Sequence, residues 1–101
     1  MPAEGSDQLV VVDVGDRVTE QTTAPVGDAL PGAQVVVLDL SRVSFLDSAG
    51  LTHLVNAHTR CEQHAAELRV VVADPVVTRP MELTGLDRVL RLFPTLDHAR
   101  R

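Results

Sequence analysis

Two runs of aliphatic residues without alternation constrain this chain more than any other feature: Val35-Val36-Val37-Leu38 and Val70-Val71-Val72-Ala73. A strand with one wet face alternates apolar and polar residues. A strand that is apolar at each successive position is covered on both faces, as in parallel sheets flanked by helices. The stretch between the two runs has the other period. Leu51, Leu54, Val55, His58, Cys61, Ala65 and Leu68 recur at spacings of three and four, drawing one apolar stripe along a helix. Thr52, Asn56, Thr59, Arg60, Gln63 and Glu67 fall on its other face. A helix between two parallel strands is the crossover that such strands require.

The remaining segments extend the alternation. Leu9–Val14 is a Val-rich strand closed by the turn signal Gly15-Asp16. Arg17–Gly32 is read as a short strand end, then a helix over about 24–30 with Pro25 in its first turn and Pro31-Gly32 as its stop. Ser41–Leu46 is a connector anchored by two apolar side chains, Val43 and Phe45. Asp74-Pro75 supplies an N-cap and a first helical residue, and Gly85 a C-cap; Pro80 is expected to kink or shorten the helix between them. Val89–Phe93 is a last strand ended by Pro94, and Thr95–Arg101 has room for a frayed turn or two. The pattern predicts an α/β fold with a small mixed, mainly parallel sheet in one domain spanning residues 1–101.

Composition excludes several function classes. The chain is 45% hydrophobic and 23% charged, which suits a folded soluble domain. Its formal charge of −5, with basic residues spread singly, argues against direct nucleic-acid binding. No apolar run approaches the roughly 18 residues of a membrane span. Met1–Asp7 is polar and acidic, unlike a signal peptide, and Cys61 has no second cysteine to pair with. The expectation is a cytoplasmic protein without membrane contact.

Chemistry concentrates where the connector enters the long helix, at Phe45-Leu46-Asp47-Ser48-Ala49-Gly50-Leu51. Asp47 is a good N-cap, and Leu46 and Leu51 then have hydrophobic-staple spacing. Ser48 becomes the first helical residue, with a hydroxyl that capping does not consume. Ala49 and Gly50 add little bulk, so another molecule can approach Ser48 closely. Free N–H groups and the helix dipole favour negative charge there, so a phosphate of about −1.5 to −2 charges can be carried without unfolding the domain. From spacing alone, Asp-Ser at a helix start is also an ordinary capping pair.

The segment from Val35 to Leu51, VVVLDLSRVSFLDSAGL, resembles the signature of STAS domains, specifically the stand-alone anti-sigma factor antagonists. Such chains show a hydrophobic strand ending in Asp, a short loop, then Asp-Ser-(small)-Gly-Leu. The resemblance continues through Val70–Ala73 and Leu83–Leu90 and covers residues 35–99; residues 1–34 diverge, with Thr19 standing where family members carry an acid. The resemblance implies a small sheet with helices mostly on one side. It also implies a phosphoacceptor, Ser48, modified by a partner that is both an anti-sigma factor and a serine kinase. The unphosphorylated chain would bind that partner and release a sigma factor; a serine phosphatase would reverse the modification. The docking face expected on this basis comprises Ser44, Asp47, Ser48, Ala49, Gly50, Thr52, His53 and Asn56, with Arg60 beyond them. No cofactor or metal is implied.

Other readings of the same residues remain. As a hydrolase nucleophile Ser48 would need a base, from His53, His58 or His64, but Leu46 stands where a nucleophile elbow has its first glycine. His58, Cys61 and His64 have helical spacing, yet the outer two diverge by roughly 120° round a helix, which suits core residues better than metal ligands. A STAS-like scaffold, or a module binding an anion or nucleotide at the helix start, is the alternative to a phospho-switch. Asp39 reads as a strand-end residue bonding nearby backbone.

Overall fold

A computed structural model describes residues 9–101 of the chain; the polar segment Met1–Asp7 lies outside them. The elements are β1 (Leu9–Asp13), α1 (Glu20–Ala29), β2 (Val35–Asp39), α2 (Ser48–Gln63), β3 (Glu67–Val71), α3 (Pro75–Thr84), β4 (Arg91–Phe93) and α4 (Leu96–Arg100). A 3₁₀ turn over Leu86–Arg88 leads into β4. The strands lie in chain order, β1-β2-β3-β4, and each pairing is parallel. Val12, Leu38, Val70 and Leu92 stand in one row across the sheet.

The two aliphatic runs face protein on both sides except at the end of the second, where β3 stops at Val71 and Ala73 lies beyond it, exposed. On one face Val36, Leu38, Leu68 and Val70 pack with Val26 of α1, with Leu54, Ala57 and Cys61 of α2, and with Val77 and Met81 of α3. On the other, Val37 and Val71 pack with Ala99 of α4, bordered by Leu9, Val11, Phe93 and Leu96. Three helices thus share one face and the short α4 covers the other. Each fully buried aliphatic contributes about 1.5–3 kcal/mol through apolar surface removed from water.

Several elements differ from the sequence reading. α1 begins four residues earlier than expected, because Thr19 caps it: its side chain accepts from the Thr22 N–H at 3.1 Å while the Thr22 hydroxyl accepts from the Thr19 N–H at 2.8 Å. The strand end expected after Arg17 is therefore turn and cap, and Pro25 lies inside the helix rather than in its first turn. α2 stops at Gln63, and Ala65 turns the chain in left-handed backbone at φ 56°. Glu67 and Leu68 consequently belong to β3, which starts three residues ahead of the expected run. The polar pair Glu67 and Arg69 hides this strand in the sequence. Their side chains are bonded to each other at 2.9 Å on the α4 face.

α3 runs through Pro80 without being shortened and ends on Gly85 at φ 81°. The Thr84 hydroxyl donates to the Pro80 carbonyl at 2.8 Å and ties down that last turn. The chain's closing segment is a capped helix rather than frayed turns. Thr95 Oγ1 accepts from the His98 N–H at 3.1 Å, and the half-buried Arg69 donates to the Ala99 carbonyl at 2.7 Å. A cation at a helix C-terminus also complements the helix dipole.

Candidate functional site

The site is assembled where β1 and β2 end. Asp13 and Asp39 are register partners, and each carboxylate folds back on its own loop: Asp13 accepts from the Gly15 N–H and Asp39 from the Ser41 N–H, both at 2.9 Å. Asp39 thus has the backbone-bonding place expected of it. Arg42 Nη2 stands 2.8 Å from Asp13 Oδ2 and joins the β2–α2 loop to the β1–α1 loop. The Asp13 carboxyl is held below its usual range, chiefly by the Gly15 N–H and further by Arg42. Both partners are exposed, so this ion pair orders the loop ends more than it stabilises the fold.

Asp47 caps α2, its Oδ1 accepting from the Gly50 N–H at 2.8 Å. Leu46 is buried and Leu51 partly so, completing the staple. Gly50 is buried as well. A Cβ there would stand 2.7 Å from Leu46 Cδ1, 3.3 Å from Asp47 Oδ1 and 3.5 Å from the Val18 carbonyl. Its part is to let the α2 start close against the β1–α1 loop, which sets it apart from the other residues of the expected docking face. Ser48 is the first residue of α2 and is exposed, as are Ser44, Asp47 and Ala49. Its carbonyl accepts from the Thr52 hydroxyl at 3.0 Å, while no hydrogen bond among the described residues engages its own hydroxyl.

Phe45 does not anchor the connector. Val43 is buried, but Phe45 is 53% exposed, with the Arg17 guanidinium over its ring at 5.7 Å from the centroid. Val43 and Leu46 already fill the space beneath the loop, which leaves Phe45 facing outward. Val55, expected on the buried stripe, is 38% exposed; the stripe that faces the core is Gly50, Leu54, Ala57 and Cys61.

The structure divides the expected helical part of the docking face in two. His53, Asn56 and Arg60 line a groove of about 170 Å³ against Glu20, Thr23 and Ala24 of α1. His53 also lines a neighbouring hollow of about 150 Å³ with Arg17, Thr19, Phe45, Asp47 and Ala49. Thr52 instead shares the open face with Ser48. The Arg60 guanidinium also reaches across to α1 at Gly27, its Nη1 2.8 Å from where a Cβ on that glycine would be. Sequence reasoning missed Arg17, Glu20 and the Asp13–Arg42 link. The Asp13–Arg42 link rests on the pairing of β1 with β2, and Arg17 and Glu20 on the packing of α1 and its leading loop against α2, relations that no local spacing announces.

The other candidate ligands and bases have separate places. His58 stands 3.5 Å from Glu62, and His64 Nδ1 is 3.0 Å from the Arg60 carbonyl. Cys61 is fully buried, and burial pushes its thiol up to about 11, far from a thiolate at neutral pH. Among the described residues no three His, Cys, Asp or Glu side chains gather where they could hold a metal ion. No helix of the described residues is long and apolar enough to cross a membrane.

Known proteins resemble this chain in sequence and in fold. RsfB of Mycobacterium tuberculosis, an anti-sigma-F factor antagonist, is 33% identical over 96 residues, covering 90% of this chain and 78% of RsfB. Rv2638 of the same organism, whose name proposes an anti-anti-sigma factor, is 35% identical over 78 residues; these cover 77% of this chain but only 51% of Rv2638. The chain therefore spans about half the length of that relative. The crystal structure of an anti-sigma factor antagonist from Mycobacterium paratuberculosis superposes with a TM-score of 0.74 at 34% identity, covering 95% of this chain and 86% of that one. The STAS domain family itself matches residues 7–99, reaching into the N-terminal part beyond the signature segment. With that match over most of its length, the chain belongs to the STAS domain family.

Proposed function

We propose that this protein is an anti-sigma factor antagonist that works by reversible docking. In its unmodified state it binds an anti-sigma factor through the Ser44–Ala49 loop and the exposed side of α2, and a sigma factor is released. The partner is also a serine kinase, Ser48 is its phosphoacceptor, and a separate phosphatase restores the hydroxyl. The protein acts in the cytoplasm and supplies no catalytic group. In the transfer step Ser48 Oγ attacks the γ-phosphorus of ATP held by the partner. The new O–P bond forms as the bond to ADP breaks, and the hydroxyl proton passes to a base of the partner.

The observation that carries this reading is the exposed, unengaged Ser48 hydroxyl at the first position of a helix whose cap is already satisfied by Asp47. A phosphate added there disturbs no existing bond of that hydroxyl. It changes the charge of the surface rather than the fold. The names of RsfB and the paratuberculosis protein support the same role.

The test is binding to a purified anti-sigma factor from the source cell, with phosphate mapped on protein recovered from that cell. Ser48→Ala is expected to bind whether or not ATP is present, and Ser48→Asp to bind weakly. Phosphate is expected at Ser48. Unchanged binding by both variants, or phosphate mapped only elsewhere, would overturn the switch.

A further inference from the structure

The two edges of the sheet are unlike. Along a strand the N–H and C=O of successive residues point to alternate sides, so one ladder bond fixes the direction of the rest. The Val14 N–H donates to the Asp39 carbonyl at 3.3 Å, so Val10 and Val12 are the β1 residues that bond β2. Leu9, Val11 and Asp13 turn their backbone groups away from β2, to the open edge. At the other edge the Phe93 carbonyl accepts from the Val72 N–H at 2.9 Å, and within Arg91–Phe93 Leu92 alone turns outward. β4 is further blunted by Arg91 at its start and Pro94 just past its end. β1 has no such device. Leu9-Val10-Val11-Val12 holds neither charge nor proline, and the Asp13 carboxylate is folded back onto Gly15 and Arg42. Among the described residues no strand lies beyond β1. Leu9, Val10 and Val11 are only half-buried, whereas Val36, Val37 and Leu38 in the neighbouring strand are fully buried.

We infer that a second copy of this chain pairs with that edge, β1 against β1, antiparallel about a two-fold axis at Val11. An isologous contact requires an edge that complements itself, and this one does. Its outward residues, Leu9, Val11 and Asp13, are placed symmetrically about Val11. Val11 then stands opposite Val11 of the second copy, and Leu9 opposite Asp13, each such pair exchanging two N–H···O bonds. No like charges face each other in this register. A two-fold axis normal to the sheet also keeps its two faces in line. Val10 and Val12, which belong to the core under α1, α2 and α3, come opposite one another across the axis. Leu9 and Val11 prolong the apolar face that α4 covers. The half-buried valines of β1 thereby gain the neighbours that β2 already has.

The test is sedimentation velocity of the whole chain from about 5 μM to about 500 μM, where mass action is expected to draw out a dimer of twice the monomer mass. Val11→Pro removes an outward N–H and leaves the ladder to β2 intact, as proline does on an edge strand, and is expected to stay monomeric throughout. A second variant keeps the question open should that one fold poorly. Val11→Cys places one thiol beside its copy on the two-fold axis, at about 5.5 Å between Cα atoms, within disulfide range. Cys61 is buried and does not compete. Under mild oxidation Val11→Cys is expected to give a covalent dimer, and Leu83→Cys, on the exposed side of α3, to give none. A parent that stays monomeric at every concentration overturns the pairing. So does a dimer that survives in Val11→Pro, or equal cross-linking by the two cysteine variants. Slow amide exchange at Leu9, Val11 and Asp13 in a dilute monomer also overturns it, for then another part of the same chain occupies the edge.

Discussion

The starts of α2 and α3 use the same cap and come to opposite ends. Asp47 accepts from the Gly50 N–H and Asp74 from the Val76 N–H, and each helix begins on the next residue. At α3 that residue is Pro75, which has no side-chain donor or acceptor. At α2 it is Ser48, whose hydroxyl is left exposed. Two positions further on, the third residue of α3 is Val77, fully buried in the main core, whereas in α2 it is Gly50, buried where a Cβ would collide with Leu46. Capping chemistry therefore does not mark a site. What distinguishes α2 is that a neighbouring loop closes on its first turn from one side while its first hydroxyl stays open on the other.

That contrast can be broken by exchange. Val77→Gly removes a buried side chain and adds backbone freedom, and is expected to cost about 3 kcal/mol of unfolding free energy in a urea titration. The reverse insertion, Gly50→Val, forces bulk into the closed α2 start and is expected to cost about 2 kcal/mol, with partner binding impaired because the loop shifts. Equal tolerance at both positions would mean that the α2 start is not closed against Val18 and Leu46. Asp47→Ala and Asp74→Ala each lose a cap and should destabilise alike, by about 1 kcal/mol. Only Asp47→Ala is expected to slow phosphorylation of Ser48, measured with the cognate kinase. Ser48→Ala should stay within about 0.5 kcal/mol of the parent, since its hydroxyl holds nothing in place. A larger loss would show that this oxygen has a structural bond.

Much of this was legible in the sequence because it rests on local signals. The two aliphatic runs announced strands covered on both faces, and Asp47, Leu46 and Leu51 announced the cap and its staple. The misreadings share a cause, which is tertiary context. Glu67 and Arg69 look like the polar side of a helix until β3 pairs with its neighbours and sets both toward α4. Phe45 and Val55 look like core because aliphatic and aromatic residues usually are. Phe45 turns outward between the buried Val43 and Leu46, and Val55 falls beside rather than on the buried α2 stripe, places that only the assembled fold decides. Thr19 stands out in the sequence for the acid it replaces, yet its place follows from Thr22 three residues later, a capping box written in threonine rather than the more familiar glutamate.

One feature at the opposite side of the sheet bears on how the molecule responds to acid. Glu67 receives Arg69 at 2.9 Å and Arg91 at 3.3 Å, and its carboxyl is drawn below its ordinary value of 4.5, first by the Arg69 hydrogen bond. A depressed carboxyl stabilises the native state above its unfolded value, and that contribution disappears as pH drops through the lower folded one. Arg69 is also the side chain that grips the last turn of α4. Proton uptake by Glu67 therefore slackens the tether on the C-terminal helix, and as pH falls below 4.5 the amide protection of Leu96–Arg100, relative to free peptide at the same pH, is expected to be lost before that of the main core. The vulnerable hem of the protein in acid is thus the thinly covered sheet face, across the sheet from the three helices that include α2.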